Sequence, residues 1–161
     1  MEEHAELLPS LDVVLSETKS ALERQFEQSS SLDMKLGVSV GLSGVILAAL
    51  LGFPLIRNGD MATRWLLIAA AASVLVALLL AAVGGFWIRK FKWAPRPEAL
   101  REFYLTEQSE VTKIAIIDTQ ISAYRWNRKR IVLKAQLMHS SFAFVFLGAF
   151  IIGVTILYSL L

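Results

Sequence analysis

The chain has 161 residues, 55% of them hydrophobic, with a net charge of +2, two histidines and no cysteine. That length suits one compact unit rather than two domains. Without cysteine there is no disulfide, thiolate nucleophile or cysteine-based metal site, and neither His4 nor His139 joins carboxylates at metal-ligand spacing.

The small net charge hides a segregation. Residues 1–35 hold three Lys/Arg and eight Asp/Glu, whereas residues 89–134 hold eleven Lys/Arg and five Asp/Glu. Between and beyond them run three stretches without Asp, Glu, Lys or Arg: 36–56, 65–88 and 135–161, of 21, 24 and 27 residues. A helix needs about 20 apolar residues to cross a bilayer core. The expected fold class is therefore all-α: three transmembrane helices plus amphipathic cytoplasmic helices, assembled as a homo-oligomeric membrane bundle. The positive-inside rule expects residues 89–134 and the N-terminus in the cytoplasm, with the C-terminus outside, periplasmic in a bacterium. The first stretch starts too late, behind too acidic a segment, for a secretory signal peptide.

In chain order, Ser10 or Asp12 can cap a first helix. Leu11, Val14, Leu15, Thr18, Leu22, Phe26, Ser29 and Leu32 then form a thin apolar stripe. This helix is expected to run, with a wobble at Ser29-Ser30-Ser31, into span one. There Gly37, Gly41, Gly44, Ala48 and Gly52 recur at steps of three and four. Such a groove lets another helix approach closely, either within the 36–88 hairpin or between subunits. Ser39 and Ser43 either face a water-filled path or bond their own helix. Asn58-Gly59-Asp60 marks a turn, and Trp65 suits an interfacial anchor for span two.

After span two come Arg89, Lys90, Lys92, Trp93 and Arg96, and Pro95 and Pro97 favour a new helix near Glu98. Its face would carry Leu100, Tyr104, Val111, Ile114, Ile117, Ile121 and Tyr124. It can continue through a second cluster, Tyr124, Arg125, Trp126, Asn127, Arg128, Lys129, Arg130 and Lys134, into span three. The two basic-aromatic clusters either set topology at the membrane boundary or bind anions: arginine forks match phosphate, and tryptophan and tyrosine rings stack bases. In span three, Phe142, Phe146 and Phe150 lie four apart, as lipid-facing bulk or as a hydrophobic gate.

The spans hold no charged residue, and the chain has no nucleotide-binding glycine loop, nucleophile elbow or paired catalytic carboxylates. These absences favour a passive pore or a scaffold over an enzyme, with no cofactor or metal.

The stretch Leu32-Asp33-Met34-Lys35-Leu36-Gly37 at the membrane entry, the run Pro97-Glu98-x-Leu100 with Phe103-Tyr104-Leu105, and then Asn127 and Lys134-Ala135 add a resemblance. In these residues and in its order of segments the chain resembles the small membrane effectors of bacterial anti-phage nucleotide-signalling systems, the SLATT, Pycsar and Hailong channel types. The resemblance implies an oligomeric inner-membrane channel, controlled from the cytoplasm by a cyclic nucleotide or oligonucleotide made by a neighbouring nucleotidyltransferase. In the Hailong type the implied ligand is single-stranded deoxyadenylate that holds the channel shut. The combined expectation is an anion-conducting homo-oligomer, taken as a tetramer, that depolarises the cell. Arg89, Lys92, Trp93, Arg96, Arg125, Trp126, Arg128, Lys129 and Arg130 would bind nucleotide or anion, and Ser39, Ser43, Phe142, Phe146 and Phe150 would line the pore or gate. The alternatives are a non-conducting partner-recruiting protein and a ligand-free, holin-like lesion former.

Overall fold

The computed structural model describes residues 10–52, 60–88, 90–93, 95, 101–102 and 107–160. Three long helices account for most of them: α1 (Leu11–Leu51), α2 (Met61–Ala82), which ends in a π-helical turn (Val83–Trp87), and α3 (Ser109–Leu160). No strand occurs among the described residues. All three helices are long and apolar enough to cross a membrane, as in a multi-pass membrane protein.

α1 has 41 residues and α3 has 52, or about 60 and 80 Å at 1.5 Å per residue. A bilayer core is only about 30 Å thick. Each of these helices therefore includes both an uncharged stretch and its polar flank without a break. No Gly or Pro interrupts α1 before Gly37 or α3 before Gly148, so the serines at 29–31 do not break the helix. α1 ends at Leu51, short of the expected 56, and α2 begins at Met61, ahead of the expected 65. Pro54, Asn58, Gly59 and the helix start expected near Glu98 lie outside the described residues.

The described residues fall into two packed units rather than the expected one, because helices this long exceed a single span and bury a second core. One unit takes residues up to 29 and 90–131; the other takes 30–89 and 132–161. The boundaries expected at 35, 88 and 134 lie within six residues of these.

In the first unit, α1 and α3 run parallel. Asp12 pairs with Lys113 at 2.7 Å, and the Thr18 hydroxyl donates to Gln120 Oε1 at 2.5 Å. Gln25 Nε2 donates to the Tyr124 carbonyl at 3.2 Å. Leu22 and Ser29 are buried against this seam, as are Ile117, Ala123 and Ile131. The seam steps alternately by three and four: Leu15, Thr18, Leu22, Gln25, Ser29 on α1 and Ile117, Gln120, Tyr124, Asn127, Ile131 on α3. A strict seven-residue repeat is the period of helices that wrap around each other, slightly tighter than 3.6. That difference brings Gln25 into the core, while Val14, Val111 and Ile114, expected on packed faces, are exposed.

In the second unit the same stepping continues through Leu32, Leu36, Ser39 and Ser43 on α1 and Lys134, Met138, Ser141 and Val145 on α3. α2 lies antiparallel to α3 and packs through small residues: Ala70, Val74 and Ala77 are fully buried. Gly148 permits the closest approach. A Cβ there would meet Val74 Cγ2 at 2.6 Å and the Ala70 carbonyl at 3.2 Å. Ser73 fastens the same contact by donating to the Phe144 carbonyl at 2.9 Å. In the π turn, Gly84 rests on Leu36 and Leu137, 3.1 and 3.5 Å from the position of an added Cβ.

α2 starts at an N-cap, Asp60, whose carboxylate accepts from the Thr63 backbone N–H at 2.9 Å. Hydrogen bonds from the Thr63 side chain and backbone hold the Asp60 carboxyl below its ordinary value. A depressed carboxyl stabilises the fold above its unfolded pKa of about 4, and that contribution is lost as the pH falls through the folded value. Asp60→Ala should therefore lower the melting temperature in detergent at neutral pH, and the gap to the parent should close on acidification below pH ~4. A gap that persists at low pH would contradict this role.

Candidate anion-binding surface

The first unit gathers residues from both basic-aromatic clusters. Asn127 is fully buried and clamps the backbone of Lys92: its Oδ1 accepts from Lys92 N–H at 2.9 Å and its Nδ2 donates to the Lys92 carbonyl at 3.0 Å. Arg130 Nη1 donates to the Lys90 carbonyl at 2.8 Å. Phe26 stacks on Trp93 at 3.6 Å between ring centroids and 9° between planes, with Phe91 edge-on to Phe26 at 6.1 Å. The segment 90–93 is thereby strapped to both helices of its unit.

The strap places two cations on one indole. Lys92 Nζ lies 4.6 Å and Arg130 Cζ 4.5 Å from the Trp126 ring. Each distance is within the range of a cation–π contact. Trp126 remains 43% exposed and Trp93 72% exposed, so both retain ring surface toward solvent. Arg125 and Arg128 sit elsewhere in the unit. With Thr18, Ala21, Gln120 and Tyr124 they line a groove of about 260 Å³. Lys129 is exposed. Arg89 and Arg96 lie outside the described residues.

The candidate pore residues divide. Ser39 and Ser43 are fully buried in the second unit. The Ser39 and Ser141 hydroxyls are 2.6 Å apart, and Ser141 donates to the Ala77 carbonyl at 2.8 Å. A hydroxyl has one proton, so Ser39 is the donor to Ser141, and one relay crosses all three helices. Ser43 Oγ, like Gln25 Oε1 in the first unit, is buried without a hydrogen-bond partner among the described residues. Phe146 and Phe150 are each 69% exposed, and half-buried Phe142 meets Phe146 at 6.5 Å between centroids.

Among the described residues, nothing packs closely on the small-residue stripe of span one. A Cβ added at Gly37, Gly41 or Gly44 would find nothing within 4 Å, Ala48 is exposed, and Gly52 meets only the carbonyls of its own helix. On the helical wheel the stripe lies opposite the buried Leu36–Ser39–Ser43 face. The tight glycine contacts belong to Gly84 and Gly148 instead.

Sequence reasoning missed the role of the buried ion pair. Lys134 Nζ meets Asp33 Oδ1 at 2.7 Å; Lys134 is fully buried and the Asp33 side chain 47% exposed. Asp33, from the membrane-entry stretch, and Asn127 and Lys134, from the later part of the chain, are among the residues that carried the resemblance, and all three make inter-segment contacts.

Asn127→Ala should remove two hydrogen bonds from the Lys92 backbone, at a cost of about 2 kcal/mol. The Lys92 amide should exchange with solvent much faster in that variant; unchanged protection would show that the strap is held by other contacts.

The described residues define an all-helical protein with three membrane-length helices and a second, polar helical unit. Comparison with protein-family models, curated proteins and solved structures finds no match to the chain.

Proposed function

We propose that this protein is a homo-oligomeric membrane channel of a bacterial anti-phage defence system, gated from the cytoplasm by a nucleotide or short oligonucleotide and conducting anions. The observation that carries this reading is Trp126 flanked by Lys92 and Arg130, in the same unit as the Arg125–Arg128 groove. Cations pair with phosphates and the exposed rings stack on bases, a combination suited to single-stranded nucleic acid. The ligand would be the product of a nucleotidyltransferase, and opening would depolarise the inner membrane. Because α1 and α3 each join a polar segment to a span without a break, a ligand held by the polar segments can bias the spans directly.

The uncovered Gly37–Gly41–Gly44 stripe supports assembly through a second copy. Gly41→Leu leaves the packing of the protomer untouched, so a fall in oligomer size in mild detergent would report a neighbouring subunit. A size equal to that of the parent would remove this support.

The test of the main reading is planar-bilayer recording of the purified protein with and without short single-stranded DNA. An anion-selective conductance that responds to the DNA is expected, and Trp126→Ala should raise the DNA concentration required by roughly tenfold, one stacked base. No conductance in either condition would overturn it. A non-conducting, partner-recruiting protein is the second reading; it is favoured by the burial of Ser39 and Ser43 inside the protomer. A conductance indifferent to nucleic acid would fit the lesion former.

A further inference from the structure

The second unit holds an apolar groove of about 420 Å³ between the end of α1 and the start of α2. Leu47 and Leu51 supply one wall; Arg64, Ile68, Ala71 and Leu75 supply the other. Arg64 is the one polar residue lining it among the described residues.

Three observations say what fills this groove. Its α2 wall repeats at steps of four, three and four, so it follows a single helix face from Arg64 to Leu75. The eleven helical steps from Arg64 to Leu75 span about 16 Å, close to half of a bilayer core of about 30 Å. The groove is therefore one leaflet deep. Second, Arg64 stands at its mouth beside Trp65, which is 64% exposed. Exposed tryptophans at helix ends mark the headgroup level, and a guanidinium at that level matches a phosphodiester through paired hydrogen bonds. Third, Ile68 and Leu75 are 56% and 48% exposed along the wall, leaving apolar surface that matches a hydrocarbon chain.

We propose that this groove is a phospholipid site: one acyl chain lies along Ile68, Ala71 and Leu75, and the phosphate pairs with Arg64. The lipid belongs to the leaflet on the side of the α1–α2 connection. The site rests on the membrane placement of the three helices and stands whether or not the protein conducts.

Native mass spectrometry of the full-length protein tests it. Delipidated protein is mixed in turn with phosphatidylglycerol, phosphatidylcholine and diacylglycerol, which share tails but not the phosphate. Both phospholipids should be retained over diacylglycerol by roughly tenfold, the worth of one charge-assisted pair. Arg64→Gln should abolish that preference, and Ala71→Leu, which fills the groove, should lower retention of all three lipids. Unchanged helical circular dichroism in each variant establishes that the fold survives. Equal retention of diacylglycerol, or a phospholipid preference that survives Arg64→Gln, would mean annular lipid only and would overturn the assignment.

Discussion

Asp33→Ala is expected to destabilise the protein by about 3 kcal/mol, and Lys134→Met by markedly less. The two residues form one ion pair, but their surroundings differ: Lys134 is fully buried, whereas the Asp33 side chain keeps 47% of its exposure. Removing one partner of a buried pair leaves the other charge desolvated, at a typical cost of 3–5 kcal/mol. The lower end applies here because solvent reaches Asp33 and screens part of the attraction. Lys134→Met removes the charge from the interior and keeps an unbranched stem of similar length. Asp33 then turns to water, and apolar replacement of a buried charge is often neutral or stabilising. Thermal unfolding in detergent, followed by circular dichroism, gives the ordering. Equal losses, or a larger loss for Lys134→Met, would show that the lysine is held mainly by its other interactions.

Gly148→Val carries the second large effect. An added Cβ would stand 2.6 Å from Val74 Cγ2 and 3.2 Å from the Ala70 carbonyl, the latter a backbone atom that cannot rotate away. A β-branched residue adds two further carbons at that crossing, so α2 and α3 must separate. Overpacking of this kind costs about 1–3 kcal/mol, and separation would also break the 2.9 Å bond from Ser73 to the Phe144 carbonyl. Gly148→Ala should be milder, and adding Val74→Ala should recover part of its loss by removing the first clash. By contrast, Gly44→Ala meets nothing within 4 Å and should leave the protomer unharmed. A Gly148→Val protein as stable as its parent would place the helix crossing elsewhere.

The three uncharged stretches and the helices that hold them were legible in the sequence, because charge punctuates them plainly, although the helix ends were not. Continuity through Ser29-Ser30-Ser31 was readable as well, since no glycine or proline stands near. The choice of buried face was harder. Leu22, Ser29 and Leu32 of the expected stripe are buried, yet so are Gln25, Gln120 and Asn127, which no apolar stripe includes. Their burial depends on partners about a hundred residues away, which local periodicity does not reveal. The glycines show the same limit. Gly37, Gly41 and Gly44 form the more conspicuous pattern, but Gly148, outside that pattern, makes the close contact. The basic-aromatic clusters were visible as composition; that Lys92 and Arg130 share the Trp126 ring required the Asn127 clamp.

The polar pairs of the seam also act as a check against misassembly. Two long helices with a seven-residue repeat can slide past each other by one repeat and still bury leucines. In the second unit such a slide would set Asp33 beside Ser141 and Ser39 beside Gly148, leaving Lys134 in the interior without its carboxylate and Ser141 without its donor. Only the native alignment pairs these groups together, so the slipped form is penalised at two places at once. Polar residues in a helix seam contribute this discrimination at some expense of stability. A chain that must insert three helices into a bilayer, where apolar side chains pack against lipid as well as against each other, gains its correct partner alignment from the few residues that lipid cannot satisfy.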